Sequence, residues 1–531
     1  MTRRYRVGFA RRELNESGVL PAEAFLAPLE VRCLVVDTDS GPACWAVFDL
    51  TCFLPDQGTA IRTAIAAALG CEREAVVVHC THTHSVPDFF CAFPVEVLAN
   101  QAAAAAREAQ SRMRPFRLVG TTIDVGNRFS VRRRKLLPGI GVFTVWYGYR
   151  LARGRPDGAR LIREQAGRIF GRRVTQMPEF AGPIWFDDPV DPLAQGLVFV
   201  SADGTAIGSL LRFAAHPHTT SHVRRLRYHP DFPGFARQTM ERGLGGMCIY
   251  LTGPCGDIVP KEKMRFHLPP AAERPAETER YFGPSYWHKE TIPGEALRAA
   301  RKMGESLAAA VLAGLTKGPR QRSPEARAGA GSPAWTTAPC RPSVVRCRTV
   351  KLTVPIREDY AASSAAATTA QEAATERLLE LQRDGRRKRA APWVIRSQAD
   401  RIQQLSLEAL DIRTLPARAR RSRRLILEMG LLQLGDIVLV GLPSEPCLES
   451  SLHLRAHTLG HELWTVSLVN GWVGYLPGSF DCLAGGYEGV RTPLPPDGLV
   501  AYDTQACDAI RELTGCARDP RPAHRLSSQR G

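Results

Sequence analysis

The alternation of short apolar runs with amphipathic helical patterns is the feature that most constrains how this chain folds. Two apolar runs, Val31–Asp37 and Ala43–Leu50, flank a turn-rich connection, which predicts a β-hairpin. Asp56–Leu69 places its apolar residues on one helical face, and Ala75–Cys80 is short, β-branched and apolar, as in a strand buried on both sides. The alanine-rich segment Val95–Ser111 predicts a second helix. Elements in this order bury their apolar faces on one another, so we expect an α/β protein with helices layered on mixed β-sheets.

The same alternation continues along most of the chain. Further strands are predicted at Arg117–Val125, Gly196–Ser201, Ala206–Ala214, Met247–Leu251, Val345–Pro355 and Leu432–Leu442. Helices are predicted at Gly234–Leu244 and Asp503–Leu513. Because the strand pattern resumes after every interruption, we interpret residues 1–517 as one domain.

Three segments interrupt or follow this domain. Residues 317–344 are rich in Pro, Gly, Ala and Arg and are predicted to form a mobile loop. Residues 358–425 are predicted to form a helical excursion, because two long amphipathic patterns fall within them. The two patterns are Tyr360–Asp384 and Ala391–Leu410. The tail 518–531 is predicted to be disordered.

The composition is that of a globular protein, with 44% hydrophobic and 23% charged residues. No run reaches the roughly 18 apolar residues that a membrane span needs, and the charged N-terminus has no apolar signal-peptide region. The 14 cysteines include no C-x-x-C pair and lie mostly in apolar strands, which favours free thiols over a disulfide framework. We therefore expect a cytoplasmic protein.

The chain carries a formal net charge of +17, partly in three basic runs at Arg132–Lys135, Arg386–Arg389 and Arg418–Arg424. Such a charge is one mark of nucleic-acid binding. The runs are scattered, however, and aromatic residues for base stacking do not accompany them. We therefore expect no nucleic-acid partner.

Histidines stand where two of the apolar strands end, although the chain has only 13 of them in 531 residues. His82 and His84 follow the Ala75–Cys80 strand, and they point the same way if the extended conformation continues past it. His216 and His218 follow the apolar strand that ends at Ala215. Strand ends are common ligand sites in α/β proteins, so these histidines are candidate metal ligands. The alternative is that they are loop residues bonded to neighbouring hydroxyl and carbonyl groups.

A series of short blocks follows a fixed order along the chain: H-T-H-S (82–85), N-R (127–128), A-A-H-P (214–217), D-F-P-G (231–234), G-P-C-G-D-I-V-P (253–260), G-L-P-S-E-P (441–446), N-G-W-V-G-Y-L-P (470–477) and G-G-Y-E (485–488). In this order they resemble the neutral, non-lysosomal ceramidases and their bacterial relatives, which are zinc-dependent amidases. Each block is short, but the ordered set is specific and spans almost the whole chain. The resemblance implies the ceramidase catalytic-domain fold.

The resemblance also implies one zinc ion per chain, bound by His82, His216, Glu445 and Tyr475. Two of these residues have other possible explanations. Glu445 could favour the dipole of a following helix from its first turn, and Tyr475 could be an ordinary loop aromatic. Two imidazoles and a carboxylate are ordinary zinc ligands, whereas a phenol must lose a proton or bind weakly.

The implied chemistry is cleavage of an N-acyl amide bond by zinc-bound hydroxide. His84 is the candidate for proton transfer, while Tyr487 and Arg128 match the family's residues around the reacting amide and could stabilise developing negative charge. Asp257 is expected to orient a ligand or shape its loop. The remaining histidines of interest are expected to be structural or pocket-lining, namely His79, His218, His222 and His229.

The chain also departs from the family pattern. Val259 replaces a serine of the ceramidases and Val86 replaces a glycine, and we expect no counterpart of their C-terminal β-sandwich. The expected partner is therefore a small-molecule or lipid amide substrate, without a choice between them. Two alternatives remain open: the same zinc site could serve ester cleavage or amide formation in specialised metabolism, or the protein could bind zinc and a ligand without turnover.

Overall fold

The structure is a computed structural model. It describes residues 5–14, 18–86, 93–137, 141–144, 189–220, 227–261, 293–316, 335–336, 342–358, 360, 415–458, 460–484 and 486–516, together with 369, 372–373, 376–377 and 380. Most of the predicted 317–344 loop and of the predicted 358–425 excursion lies outside these residues, as does the 518–531 tail. The single domain 1–517 stays a prediction.

Three sheets contain most of the described strands. The first contains, in spatial order, β4 (Val76–Cys80), β3 (Gly41–Phe48), β2 (Glu30–Thr38), β1 (Arg6–Glu13) and β5 (Arg114–Pro115). The second contains β12 (Met247–Thr252), β11 (Ala206–Phe213), β10 (Leu193–Val200), β6 (Arg117–Asp124) and β14 (Trp335–Thr336). The third contains β15 (Val345–Pro355), β16 (Arg424–Leu434), β17 (Ile437–Gly441) and β19 (Glu462–Val466).

Short two-stranded ladders and helices complete the described fold. The ladders are β7 (Ser130–Arg132) with β13 (Ile258–Pro260), β8 (Arg134–Leu137) with β9 (Gly141–Thr144), and β18 (Glu445–Pro446) with β20 (Tyr475–Leu476). The helices are α1 (Pro55–Leu69), α2 (Val95–Ser111), α3 (Asp231–Leu244), α4 (Pro293–Thr316), α5 (Ala417–Ser422), α6 (Leu448–His457), α7 (Ser479–Ala484), α8 (Gly486–Val490) and α9 (Pro496–Thr514).

The three sheets share one core, and each also packs against helices on its other face. In β2, Cys33 and Val35 face the helices α1 and α2, whereas Leu34 and Val36 face the shared core. Strands from all three sheets contribute to this core, which is why their sequences are apolar at successive positions. The helices α3 and α4 cover the second sheet, and α9 covers the third. The α/β fold with helices layered on mixed sheets is confirmed.

Among the described strands, each of the three sheets has one parallel pair, and the carboxyl ends of these pairs meet. The pairs are β3 with β4, β11 with β12, and β17 with β19. Backbone hydrogen bonds connect them: Ser467 N donates to Thr252 O at 2.8 Å, and Cys80 N donates to Leu468 O at 3.3 Å. The loops after these strands therefore form a single surface built from all three sheets.

Several predicted elements are confirmed, and one is wrong. The helix Val95–Ser111 and the strand Val345–Pro355 have the predicted bounds. Leu432–Leu442 is not one strand but a hairpin, because Leu434 pairs with Ile437 around Gly435, whose φ is 64°. The turn was not predicted because it has only two residues and apolar residues flank it on both sides. The strand β1 and the long helix α4 were not predicted.

Two compositional predictions can be compared with the structure. Every cysteine among the described residues is a free thiol. In the same part of the chain, no helix combines the length and the apolar character that a membrane span requires.

Candidate metal centre

His82 and His216 follow strands of different sheets. His82 lies two residues past β4, and His216 lies three residues past β11. The chain turns at His82, whose φ of 69° is unusual for a residue other than glycine, so His82 and His84 are not brought together by strand alternation as expected. His82 N donates to Leu50 O at 2.9 Å, which ties the turn to the loop after β3. The imidazoles nevertheless meet.

Backbone carbonyls fix the tautomers of both rings. His82 Nδ1 lies 2.7 Å from Thr51 O, and His216 Nδ1 lies 3.0 Å from Cys255 O. A carbonyl only accepts hydrogen bonds, so each Nδ1 carries the proton and each Nε2 presents a lone pair. Burial, with His82 and His84 nearby, lowers the pKa of His216 well below its usual range. The arrangement is that of neutral imidazoles prepared for a metal ion.

The Nε2 atoms of three histidines converge. His84 Nε2 lies 3.3 Å from His82 Nε2 and 2.9 Å from His216 Nε2. His84 is partly buried, whereas His82 and His216 are buried. The three side chains form a group that could hold a metal ion. Lone pairs of neutral imidazoles repel at these distances unless a proton or a cation lies between them.

Glu445 adds a buried carboxylate to this group. Its Oε2 lies 3.3 Å from His82 Nε2 and accepts no hydrogen bond from any residue that the structure describes, while Oε1 accepts one from Trp472 Nε1 at 2.8 Å. Burial alone would raise the pKa of Glu445, but the neighbouring His82, followed by the Tyr475 and Trp472 side chains, lowers it. An ionised oxygen without a donor is costly to bury, and a cation would remove that cost.

Tyr475 and Tyr487 lie beside the carboxylate. Tyr475 is the direct neighbour of Glu445 in the parallel ladder of β18 and β20, and its ring centroid lies 5.4 Å from that of Tyr487. Arg133 Nη2 donates to Tyr475 Oη at 3.4 Å, and Arg491 donates to Tyr487 Oη. Burial, and then the Glu445 carboxylate, raise the pKa of Tyr475 well above its usual value. The structure thus brings both predicted tyrosines to the Glu445 side of the site.

Within the described part of the chain, Arg128, the predicted arginine, makes no hydrogen bond or cation–π contact with either tyrosine. Its side chain is exposed, with its guanidinium carbon 4.9 Å from the centroid of the Phe129 ring. The guanidinium groups that contact the tyrosines belong to Arg133 and Arg491. Sequence reasoning missed Arg133 because it is part of a basic run, which is usually exposed.

Asp257 shapes the loop that supports His216. Its Oδ1 accepts a hydrogen bond from Leu448 N at 3.0 Å, at the first turn of α6, and its Oδ2 accepts one from Arg132 Nε at 2.6 Å. Its backbone oxygen accepts one from Arg133 N at 2.8 Å. Asp257 therefore joins the loop after β12 to the helix that follows Glu445.

Three of the remaining histidines have structural contacts. His79 donates from Nδ1 to Ser467 O at 2.6 Å and accepts at Nε2 from Thr252 N, and burial lowers its pKa to about 3. His229 accepts a hydrogen bond from Asp231 N. The ring of His218 lies 4.5 Å from that of His216, which places it beside the histidine group. His222 lies outside the described residues.

A second group of possible metal ligands consists of Asp257, Glu449 and Asp481. The guanidinium of Arg132 already lies among these carboxylates, with Nε 2.6 Å from Asp257 Oδ2 and Nη2 2.8 Å from Asp481 Oδ2. Its positive charge offsets part of theirs. The donor set around His82 and His216 is the better fit to a zinc ion, since it combines imidazole nitrogens with a carboxylate, whereas the second group consists of carboxylates that already surround a guanidinium.

The fold and the site define a layered α/β protein with a buried histidine and carboxylate group at the meeting point of three sheets. The neutral ceramidase from Pseudomonas aeruginosa has a similar structure, with a TM-score of 0.55 at 14% identity over 96% of this chain and 75% of that one. A ceramidase complexed with C2 is similar too, with a TM-score of 0.54, 14% identity and coverage of 96% and 76%. The sequence matches no protein-family model and no curated protein. The likeness to the ceramidase fold, predicted from the ordered blocks, is confirmed.

Proposed function

We propose that this protein is a zinc-dependent amidohydrolase that cleaves the N-acyl amide bond of a lipid or small molecule. The observation that carries the proposal is the convergence of the His82, His84 and His216 Nε2 atoms, with Glu445 Oε2 3.3 Å from His82 Nε2 and Tyr475 paired with Glu445 in the ladder. Two proteins with similar structures are ceramidases by name, and this supports amide cleavage as the reaction.

The proposed zinc ligands are His82, His216, Glu445 and Tyr475. When bound, a zinc ion lowers the pKa of a coordinated water to about 7 and polarises a carbonyl group. The carbonyl oxygens of Thr51 and Cys255 and the indole of Trp472 hold the ligands in place, and these partners matter for affinity.

The reaction adds a water oxygen to the acyl carbon, breaks the carbon–nitrogen bond and transfers a proton to the departing amine. His84 is the proposed proton carrier, because its Nε2 lies next to both ligand histidines while its side chain is only partly buried. Tyr487 is proposed to donate to the amide oxygen as negative charge develops on it. Arg128 remains our predicted partner of the reacting amide, with an exposed guanidinium that a substrate can reach.

Metal analysis tests the centre. We expect about one zinc per chain in the native protein and none in His82→Ala or His216→Ala, whereas a control at the exposed His457 of α6, His457→Ala, should keep its zinc. Retention of zinc by both ligand variants would exclude the proposed centre.

His84→Asn tests the proposed proton carrier. This variant should keep zinc and lose turnover, while loss of zinc would make His84 a ligand.

A panel of N-acyl amides with increasing chain length tests the substrate. Each buried methylene is worth about 0.8 kcal/mol, so a lipid groove predicts an increase of about fourfold in kcat/KM per methylene over the first few carbons. A flat profile with turnover would favour a small amide. Zinc binding without turnover of any amide would contradict amidohydrolase activity, and matched esters would then test the alternative reaction.

A further inference from the structure

We infer that Arg133 is the positioning residue that holds Tyr475 at the metal centre, an inference that rests on the proposed function. Arg133 is 2% exposed, and its Nη2 donates to Tyr475 Oη at 3.4 Å. Its guanidinium carbon lies 5.7 Å from the centroid of the Tyr475 ring and 5.6 Å from that of Tyr487. One buried cation therefore contacts both tyrosines of the site.

The guanidinium is itself held in place by a buried carboxylate. Glu488 is fully buried, and its Oε1 lies 2.7 Å from Arg133 Nε. A buried charge is stable only when it is paired, so Glu488 provides the counterion that keeps Arg133 in this position. Glu488 directly follows Tyr487, which couples the second tyrosine to the same pair.

The backbone of Arg133 connects this pair to the histidine side of the centre. Arg133 N donates to Asp257 O at 2.8 Å, in the loop whose Cys255 oxygen orients His216. Arg133 thus spans the distance from the loop of one proposed ligand, His216, to the side chain of another, Tyr475. Its role is to fix the phenol relative to the imidazoles.

Arg134 provides a matched control. It is 4% exposed and pairs with the other oxygen of Glu488, with Nη1 3.0 Å from Oε2. Its Nη2 donates to the backbone oxygen of Asp481 and lies 3.6 Å from that residue's carboxylate, whereas the guanidinium groups over the Tyr475 and Tyr487 rings belong to Arg133 and Arg491. Replacing either arginine removes one buried charge from the same carboxylate. A difference between the two variants therefore reports on the tyrosine contact and not on general stability.

Zinc affinity, measured by competition with a chromophoric chelator, tests the inference. We expect Arg133→Met to lower the affinity by about 10- to 100-fold, the usual effect of removing a partner of a metal ligand, and Arg134→Met to change it less than about threefold. Arg133→Lys keeps the charge opposite Glu488 without the planar fork, so it should fold and show an intermediate loss. Equal losses in Arg133→Met and Arg134→Met would overturn the inference.

A double-mutant cycle separates positioning from a general structural role. If Arg133 acts through the phenol oxygen, Arg133→Met should cost no further zinc affinity in a Tyr475→Phe background. Additive losses would show that Arg133 acts by another route. Where Arg133→Met does not fold, the same cycle is run with Arg133→Lys. A native protein that binds no zinc would instead reject the proposed function itself, so the two failures are distinct.

Discussion

The hydrogen bond from Trp472 to Glu445 gives the sharpest test of how the centre is held together. Both residues are fully buried, and Trp472 Nε1 lies 2.8 Å from Glu445 Oε1. Trp472→Phe removes the donor while keeping an aromatic ring, so a buried carboxylate oxygen loses its partner. Hydrogen bonds to charged groups contribute about 1.5–3 kcal/mol, which corresponds to a loss of zinc affinity of about 10- to 150-fold.

Trp464→Phe is the control for this substitution. Trp464 is also fully buried, but its Nε1 makes no hydrogen bond to the residues that the structure describes, and its ring lies in the core shared by the three sheets. Both variants lose the same volume and should be less stable to urea. Only Trp472→Phe should bind zinc more weakly in chelator competition. Zinc affinity equal to that of the native protein in Trp472→Phe would refute the role given to this bond.

Two further substitutions test the surroundings of the site. Asp191→Asn leaves the buried Arg212 and Arg455 without their carboxylate, so we expect a loss of about 3–5 kcal/mol in the free energy of unfolding by urea. Burial alone would raise the pKa of Asp191, but the two arginines lower it, so the stabilising effect of the carboxylate is present above pH ~4 and is lost as the pH falls further. The difference in unfolding free energy between the native protein and Asp191→Asn should therefore narrow below pH ~4. A difference that stays constant there would contradict this prediction. Gly256→Ala would place a Cβ 2.7 Å from the backbone oxygen of Glu445. We expect zinc affinity to fall, together with a loss of about 1–3 kcal/mol in the free energy of unfolding. Unchanged zinc affinity would show that the loop can move without disturbing Glu445.

The sequence predicts the fold best where local pattern and tertiary burial agree. The helix Val95–Ser111 is strongly periodic, and its observed bounds are those predicted. The strand β1 was missed because its basic residues interrupt the apolar pattern, and because Gly8 weakens it. A Cβ at Gly8 would lie 1.9 Å from Ala109 O, so this glycine permits α2 to approach the sheet closely. No local pattern carries that information.

The residues of the site also differ in how well the sequence predicts them, depending on whether a local pattern marks their positions. His82 and His216 follow strong apolar strands, so the end of each strand indicates them. Tyr475 belongs to a two-residue ladder, which is too short for any periodicity, and only the resemblance to the ceramidases pointed to it. Arg133 was missed altogether, because its partner Glu488 lies 355 residues further along the chain and only the tertiary structure brings the two together.

The three parallel strand pairs contribute to the centre in the same way. In each pair, one strand leads to a proposed ligand, and the loop after the other strand supplies the group that orients it. The orienting contacts are Thr51 O to His82 Nδ1, Cys255 O to His216 Nδ1, and Trp472 Nε1 to Glu445 Oε1. Two of these groups are backbone carbonyls, which no side-chain substitution removes. Of these three orienting groups, Trp472 is the one that a substitution can remove without altering a ligand. The change in zinc affinity in Trp472→Phe therefore measures how much the orientation of a ligand contributes to zinc binding.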